Sequence, residues 1–299
     1  MKNIKQYSWF HFLILLCGII CIGWSAIFVK IAGISGLGSA FYRMLIGSIG
    51  ILPIWFFHHR PIKDFKSIRI AALCGIIFAS DIALWNTSIL LTKAAIATLI
   101  ANLAPVWVGL IAVFILKEKQ KPLFWTGTII SLIGVVIIVG ITNILHSSLN
   151  TGNLLAIGAS LFYAMYLLIT RTGRNSLDTV TFTAISMISS TIVLYILCLF
   201  FHIKLTNFPS STWYPLAGLG LISQLGGWLA INYALGYIKP TIASVSLLSQ
   251  SVFTAIFAVP VLGEYLNLIE IVGAIIVLIG IYMVNRKIVK PTTSIEPEY

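Results

Sequence analysis

One carboxylate, Asp81, stands deep inside a long apolar run, between Ile77-Phe78-Ala79-Ser80 and Ile82-Ala83-Leu84. Such a group is expensive in lipid and is kept for a proton, a cation, a substrate amine or a buried partner. Arg43, in the preceding apolar run, is the candidate partner. The two read either as a coupling pair that handles a proton or substrate, or as a structural ion pair. Asp81, Trp85, Ser88 and Thr92 follow i, i+4, i+7 and i+11, which places one polar stripe on one helix face. Neutral amides stand in other runs: Asn86, Asn102, Asn232 and Gln250. Trp24, Tyr163, Tyr166 and Trp228 fall at mid-depth, away from the interfacial belt where such rings concentrate. Together these residues are the candidate substrate-binding set. The plainer alternatives are interhelical hydrogen bonds for the amides and packing for the rings. Pro105 cannot supply the amide that would pair with the Ala101 carbonyl, so a hinge is expected there. A matching hinge later in the chain would rest on Gln250 and its flanking serines.

Other chemistries find no support. The five histidines, His11, His58, His59, His146 and His202, stand at the ends of runs or between them. There is no H-E-x-x-H, G-x-S-x-G or P-loop pattern, so neither hydrolysis nor ATP use is expected. Cys17, Cys21, Cys74 and Cys198 lie within apolar runs with no C-x-x-C and read as inert thiols. No metal and no cofactor are implied.

The elements that must carry these residues follow from composition. The 299-residue chain is 59% hydrophobic and 9% charged, whereas soluble domains carry about 25% charged residues. Its mean hydropathy is +1.02 and its mass 32.8 kDa. A soluble enzyme and a disordered chain are both excluded. Ten apolar runs fall near 10–32, 39–57, 69–91, 94–116, 123–141, 152–170, 180–201, 213–236, 241–262 and 267–285. Each is long enough to span a bilayer, and spanning runs without alternation must be helices. The first run is read as an uncleaved span, because Leu16 stands where a lipoprotein cleavage box needs a small residue. The net charge of +11 is scattered singly and forms no basic stripe, which argues against nucleic acid.

Lys and Arg set the expected orientation. With the N-terminus inside, fifteen of the nineteen lie on the inner side; Lys30, Arg43, Lys93 and Lys204 lie on the other. Both termini are therefore expected in the cytoplasm, with residues 286–299 as a tail, in a bacterial inner or plasma membrane.

A shift of 146 residues lays the chain over itself. Lys93-Ala94-Ala95-Ile96-Ala97 falls on Lys239-Pro240-Thr241-Ile242-Ala243, and Leu116-Lys117-Glu118 on Leu262-Gly263-Glu264. Gly127 and Gly134 fall on Gly273 and Gly280, a spacing for close helix packing; Asn86 falls on Asn232, and Asp81 on Gly227. Each copy, 10–141 and 152–285, carries five spans. An odd number inverts the second copy, and the charge bias agrees. Inverted copies can exchange conformations around a central site, which is a transporter's architecture.

The five-plus-five plan, Arg43, the stretch Ala101-Asn102-Leu103-Ala104-Pro105 and the Glu118/Glu264 span ends resemble the EamA-type transporters of the drug/metabolite transporter superfamily. That resemblance implies an all-α membrane protein that moves small metabolites, amino acids or toxic compounds, commonly outward. The residues themselves favour a neutral or zwitterionic solute, with protons as the coupling ion at Asp81. Two other classes stand beside a secondary transporter: a passive facilitator or channel, and a lipid-modifying membrane enzyme whose site would have to use His58-His59.

Overall fold

The computed structural model describes residues 9–58, 65–92, 94–140, 150–262 and 267–286. Lys2, Lys5, His59, Arg60, Lys63, Lys93, His146, Gly263, Glu264 and the tail beyond Arg286 lie outside the described residues. The expectations placed on them therefore lie outside too. Among the described residues the chain is all-helical, with ten helices long and apolar enough to cross a membrane: Trp9–Ala32, Gly36–His58, Phe65–Leu91, Ala97–Phe114, Pro122–Val139, Thr151–Gly173, Thr179–Phe200, Ser210–Leu235, Pro240–Val261 and Leu268–Asn285. They are numbered here as spans one to ten. Their ends fall within four residues of the predicted runs. The start of span one meets the end of span eight, where His11 stacks on Tyr237 with ring centroids 4.1 Å apart. We term this end of the bundle the terminal face and the opposite one the distal face.

Side-chain caps fix several ends. Asn150 accepts from the Asn153 amide at the start of span six, and Asp178 from the Val180 and Thr181 amides at the start of span seven. Asn267 and Glu270 form a reciprocal capping box at span ten. Span one ends on Gly33 in a left-handed conformation (φ 63°), which glycine adopts without penalty.

Three spans are interrupted. Span one breaks at Trp24 between Trp9–Gly23 and Ser25–Ala32. Span four breaks over Asn102 and Leu103, between Ala94–Ala101 and Ala104–Phe114, with Pro105 in the first turn of the second piece. The helix is thus interrupted just upstream of Pro105, where turn bonds such as Leu103 N to Ile100 O (3.0 Å) replace the helical pattern. Span nine breaks over Leu248 and Ser249, between Pro240–Leu247 and Gln250–Leu262. Those two positions match Asn102 and Leu103 under the 146-residue shift. No proline acts here. The Ser249 hydroxyl instead bonds the Ser246 carbonyl at 2.7 Å, offering the backbone an alternative to the helix. Span eight is continuous but over-wide, running as a π-helix from Leu219 to Trp228.

Spans five and ten pack along each other. A Cβ on Gly127 would stand 2.7 Å from the Gly280 carbonyl oxygen, and one on Gly134 2.6 Å from that of Gly273. Between these contacts, the Ser131 hydroxyl donates to the Val277 carbonyl at 3.2 Å. The contacts are reciprocal, since Gly127 and Gly134 match Gly273 and Gly280. Other contacts come in similar pairs: span one lies on span eight and span six on span three; span two lies on span eight and span seven on span three.

Candidate functional site

Mid-bundle, a cavity of about 50 Å³ is walled by Ile22, Ser25, Arg43, Phe78, Asp81, Ile82, Trp85, Thr98, Ala101, Asn102, Tyr163, Trp228 and Gln250. That is room for a few waters. The wall draws on spans one, two, three, four, six, eight and nine, so both halves of the chain build it. The break in span one delivers Ser25 to the cavity; the break in span four delivers Asn102, and that in span nine Gln250.

Its two charges come from neighbouring spans. Asp81 and Arg43 are both buried, 7% and 3% exposed. They act on each other electrostatically, yet no hydrogen bond joins them among the described residues. The Arg43 Nε–H instead donates to the Gln224 side-chain oxygen at 2.7 Å. Three further polar atoms on the wall are buried without a hydrogen-bond partner in the structure: the Ser25 hydroxyl, the Tyr163 hydroxyl and the Trp228 indole nitrogen. A buried polar group without a partner costs about 1–3 kcal/mol. Three on one cavity wall are what a small polar solute or a few waters would satisfy.

Towards the terminal face the cavity is stoppered. Phe78 stacks on Tyr166, with ring centroids 4.2 Å apart, and meets Trp228 edge-on at 4.5 Å. Beneath these rings the Tyr166 hydroxyl donates to the Asn232 side-chain oxygen at 2.8 Å, and the Asn232 amide donates to Thr183 at 3.2 Å. Arg174 completes the seal, its Nε–H donating to the Asn232 carbonyl at 3.2 Å. Burial lowers the pKa of this guanidinium from its ordinary value.

Of the residues proposed from sequence, Asp81, Arg43, Trp85, Asn102, Tyr163, Trp228 and Gln250 meet at the cavity. Asn102 also ties broken spans four and nine together, donating to the Ser251 hydroxyl at 2.8 Å. Tyr166 and Asn232 sit in the stopper. Asn86 lies between spans two and three, donating to the Ser39 hydroxyl at 2.9 Å. Trp24 faces away and stacks on Phe257 of span nine at 4.5 Å. The polar stripe on span three divides. Asp81 and Trp85 reach the cavity, whereas the Ser88 hydroxyl bonds the Gly152 carbonyl at 2.8 Å and Thr92 lies against Gly152. Sequence reasoning missed Ser25, Thr98 and Gln224. Gln224 left a signal, because a lone amide four residues before Trp228 in an apolar span should face inward.

Comparison with known proteins settles the lineage. The model of the EamA-like transporter family matches residues 9–140 and again residues 150–286. The chain belongs to the EamA-like transporter family. An uncharacterized transporter of Archaeoglobus fulgidus is 28% identical over 287 residues, covering 93% of this chain and 97% of its own length. An uncharacterized transporter of Clostridium kluyveri is 27% identical, covering 81% of this chain and 82% of its own. The uncharacterized transporter YdfC of Bacillus subtilis is 24% identical, covering 89% of each. A solved crystal structure superposes with a TM-score of 0.79 over 93% of this chain and 96% of that one, at 14% identity, so it shares the fold. This EamA-like protein is thus a multi-pass transporter of the cell membrane.

Proposed function

We propose that this EamA-like protein is a secondary active transporter exporting small neutral or zwitterionic metabolites, amino acids or similar solutes, by alternating access. Residues 10–141 and 152–285 act as two inverted five-span repeats, with both termini in the cytoplasm and the terminal face inward. The observation that carries the reading is the mid-bundle cavity. It brings a carboxylate and a guanidinium together without bonding them, beside hydrogen-bonding atoms that lack partners. A zwitterion presents the complementary charges, its ammonium to Asp81 and its carboxylate to Arg43 and the indole N–H. The reciprocal glycine contacts of spans five and ten, and the matched breaks of spans four and nine, support the two-fold plan. The stopper then closes the cytoplasmic side.

Movement of Asp81 relative to Arg43 changes the affinity of the carboxylate for a proton, which couples solute flux to the proton gradient. The test is counterflow in proteoliposomes, with radiolabelled L-alanine as the probe. Unlabelled L-alanine trapped inside should accelerate uptake of label without any gradient, as only a carrier does. Label that equilibrates at one rate, whatever is trapped inside, would establish a passive facilitator instead.

A further inference from the structure

Gln224 belongs to none of the polar groups that the cavity itself displays, yet its side-chain oxygen accepts a hydrogen bond from Arg43 Nε–H. It is 1% exposed and sits inside the π-helical stretch of span eight, at the level where span two crosses. Space for it is built in. A Cβ on Gly47, one turn past Arg43 on the same face of span two, would stand 2.8 Å from the Gln224 Cγ. A neighbouring close contact, Gly220 against Ile46, brings the two backbones together there. Gln224 and Trp228, four residues apart on this element, reach span two and the cavity respectively.

A guanidinium is planar, so fixing its Nε–H fixes the plane of the whole group. The bond to Gln224 uses one of five N–H donors. Arg43 itself lines the cavity. We infer that Gln224 is the positioning residue for Arg43: it holds the guanidinium back from Asp81, so that the two charges face the cavity instead of collapsing into a direct ion pair. The gap so kept is where the solute enters. This inference rests on the exchange reading of the Asp81–Arg43 couple.

The same L-alanine counterflow tests it, with purified full-length protein. Gln224→Met keeps length and volume but removes the acceptor; Arg43→Lys keeps the charge but removes Nε. Each should raise the KM for L-alanine about tenfold with little change in maximal rate, and the double variant should be no worse than either. Independent losses that multiply would overturn the inference.

A second readout needs no transport. Arg43 and Tyr163 are the titratable groups that face Asp81. Releasing Arg43 should therefore move the dependence of Tm on pH in Gln224→Met, and leave it unmoved when Asp81→Asn is already present. A Gln224→Met profile that superposes on wild type overturns the positioning role, even if the protein carries no L-alanine. By contrast, an Asp81→Asn variant that accumulates L-alanine like wild type, against a Gln224→Met variant that does not, sinks the coupling reading.

Discussion

Asn86 and Asn232 occupy matching positions in spans three and eight, and both are fully buried, yet only one is fully bonded. Asn232 accepts from Tyr166 and donates to Thr183, and its backbone carbonyl is held by Arg174. Asn86 donates to Ser39, while its side-chain oxygen is buried without a partner. The same residue type therefore locks one half of the bundle and leaves the other under-satisfied. The two spans differ equally five residues earlier. Span three carries Asp81; span eight carries Gly227, where a Cβ would stand 2.7 Å from the Ile22 side chain of span one. Duplicated scaffolds need not duplicate chemistry: the first half holds both cavity charges, and the second places the Gln224 amide and the Trp228 indole beside them.

The largest expected effect falls on the charge present in one half alone. Asp81→Asn removes the titrating group and nearly keeps its shape, so gradient-driven accumulation of solute in proteoliposomes should disappear while gradient-free counterflow persists at a raised KM. Accumulation at wild-type level with an unchanged pH profile would make Asp81 structural. Next comes the lock. Asn232→Leu removes the bonds to the buried Tyr166 and Thr183 hydroxyls, leaving Tyr166 with Thr170 alone, and should cost about 2–3 kcal/mol. Asn86→Leu breaks one bond but also removes an atom that is already unpartnered, and should cost about 1 kcal/mol or less. Melting of the two purified variants side by side decides this, and equal losses would erase the asymmetry. Gly227→Ala should lower stability by about 1–3 kcal/mol through overpacking against span one, read from the same melts. The smallest effect belongs to His58 at the end of span two. His58→Ala should leave counterflow unchanged and shift stability by less than about 0.5 kcal/mol; a lost activity there would revive the lipid-enzyme alternative.

Hydropathy made the ten spans legible because lipid demands one long apolar run per crossing, whatever the packing. Proline made the interruption of span four legible too. The break at Trp24 left no comparable mark, since neither Gly23 nor Ser25 forbids a helix and the interruption answers to contacts from span nine. The π-helical stretch of span eight is equally a product of packing, where Gly220 and Gly227 admit their neighbours closely. For the site, Asp81, Arg43, Asn102 and Gln250 were recoverable because polarity inside a span must face inward. Inward is as far as that rule reaches. Tyr166 and Asn232 obey it in the stopper just as Trp228 and Tyr163 obey it on the cavity wall, and only the placement of neighbouring spans separates them.

The interruption of span one has a consequence for assembly during synthesis. The Gly23 carbonyl, at the end of the first helical piece, accepts a hydrogen bond from the Thr254 hydroxyl at 2.7 Å, and Trp24 stacks beside it on Phe257. Both partners lie in span nine, more than two hundred residues downstream. Chains emerge from the ribosome N-terminus first at about 5–20 residues per second. Span one therefore reaches the bilayer tens of seconds or less before the groups that complete its break exist. A nascent chain halted after span eight would hold its first helix unfinished, and the earliest part of the protein to be made is among the last to be closed.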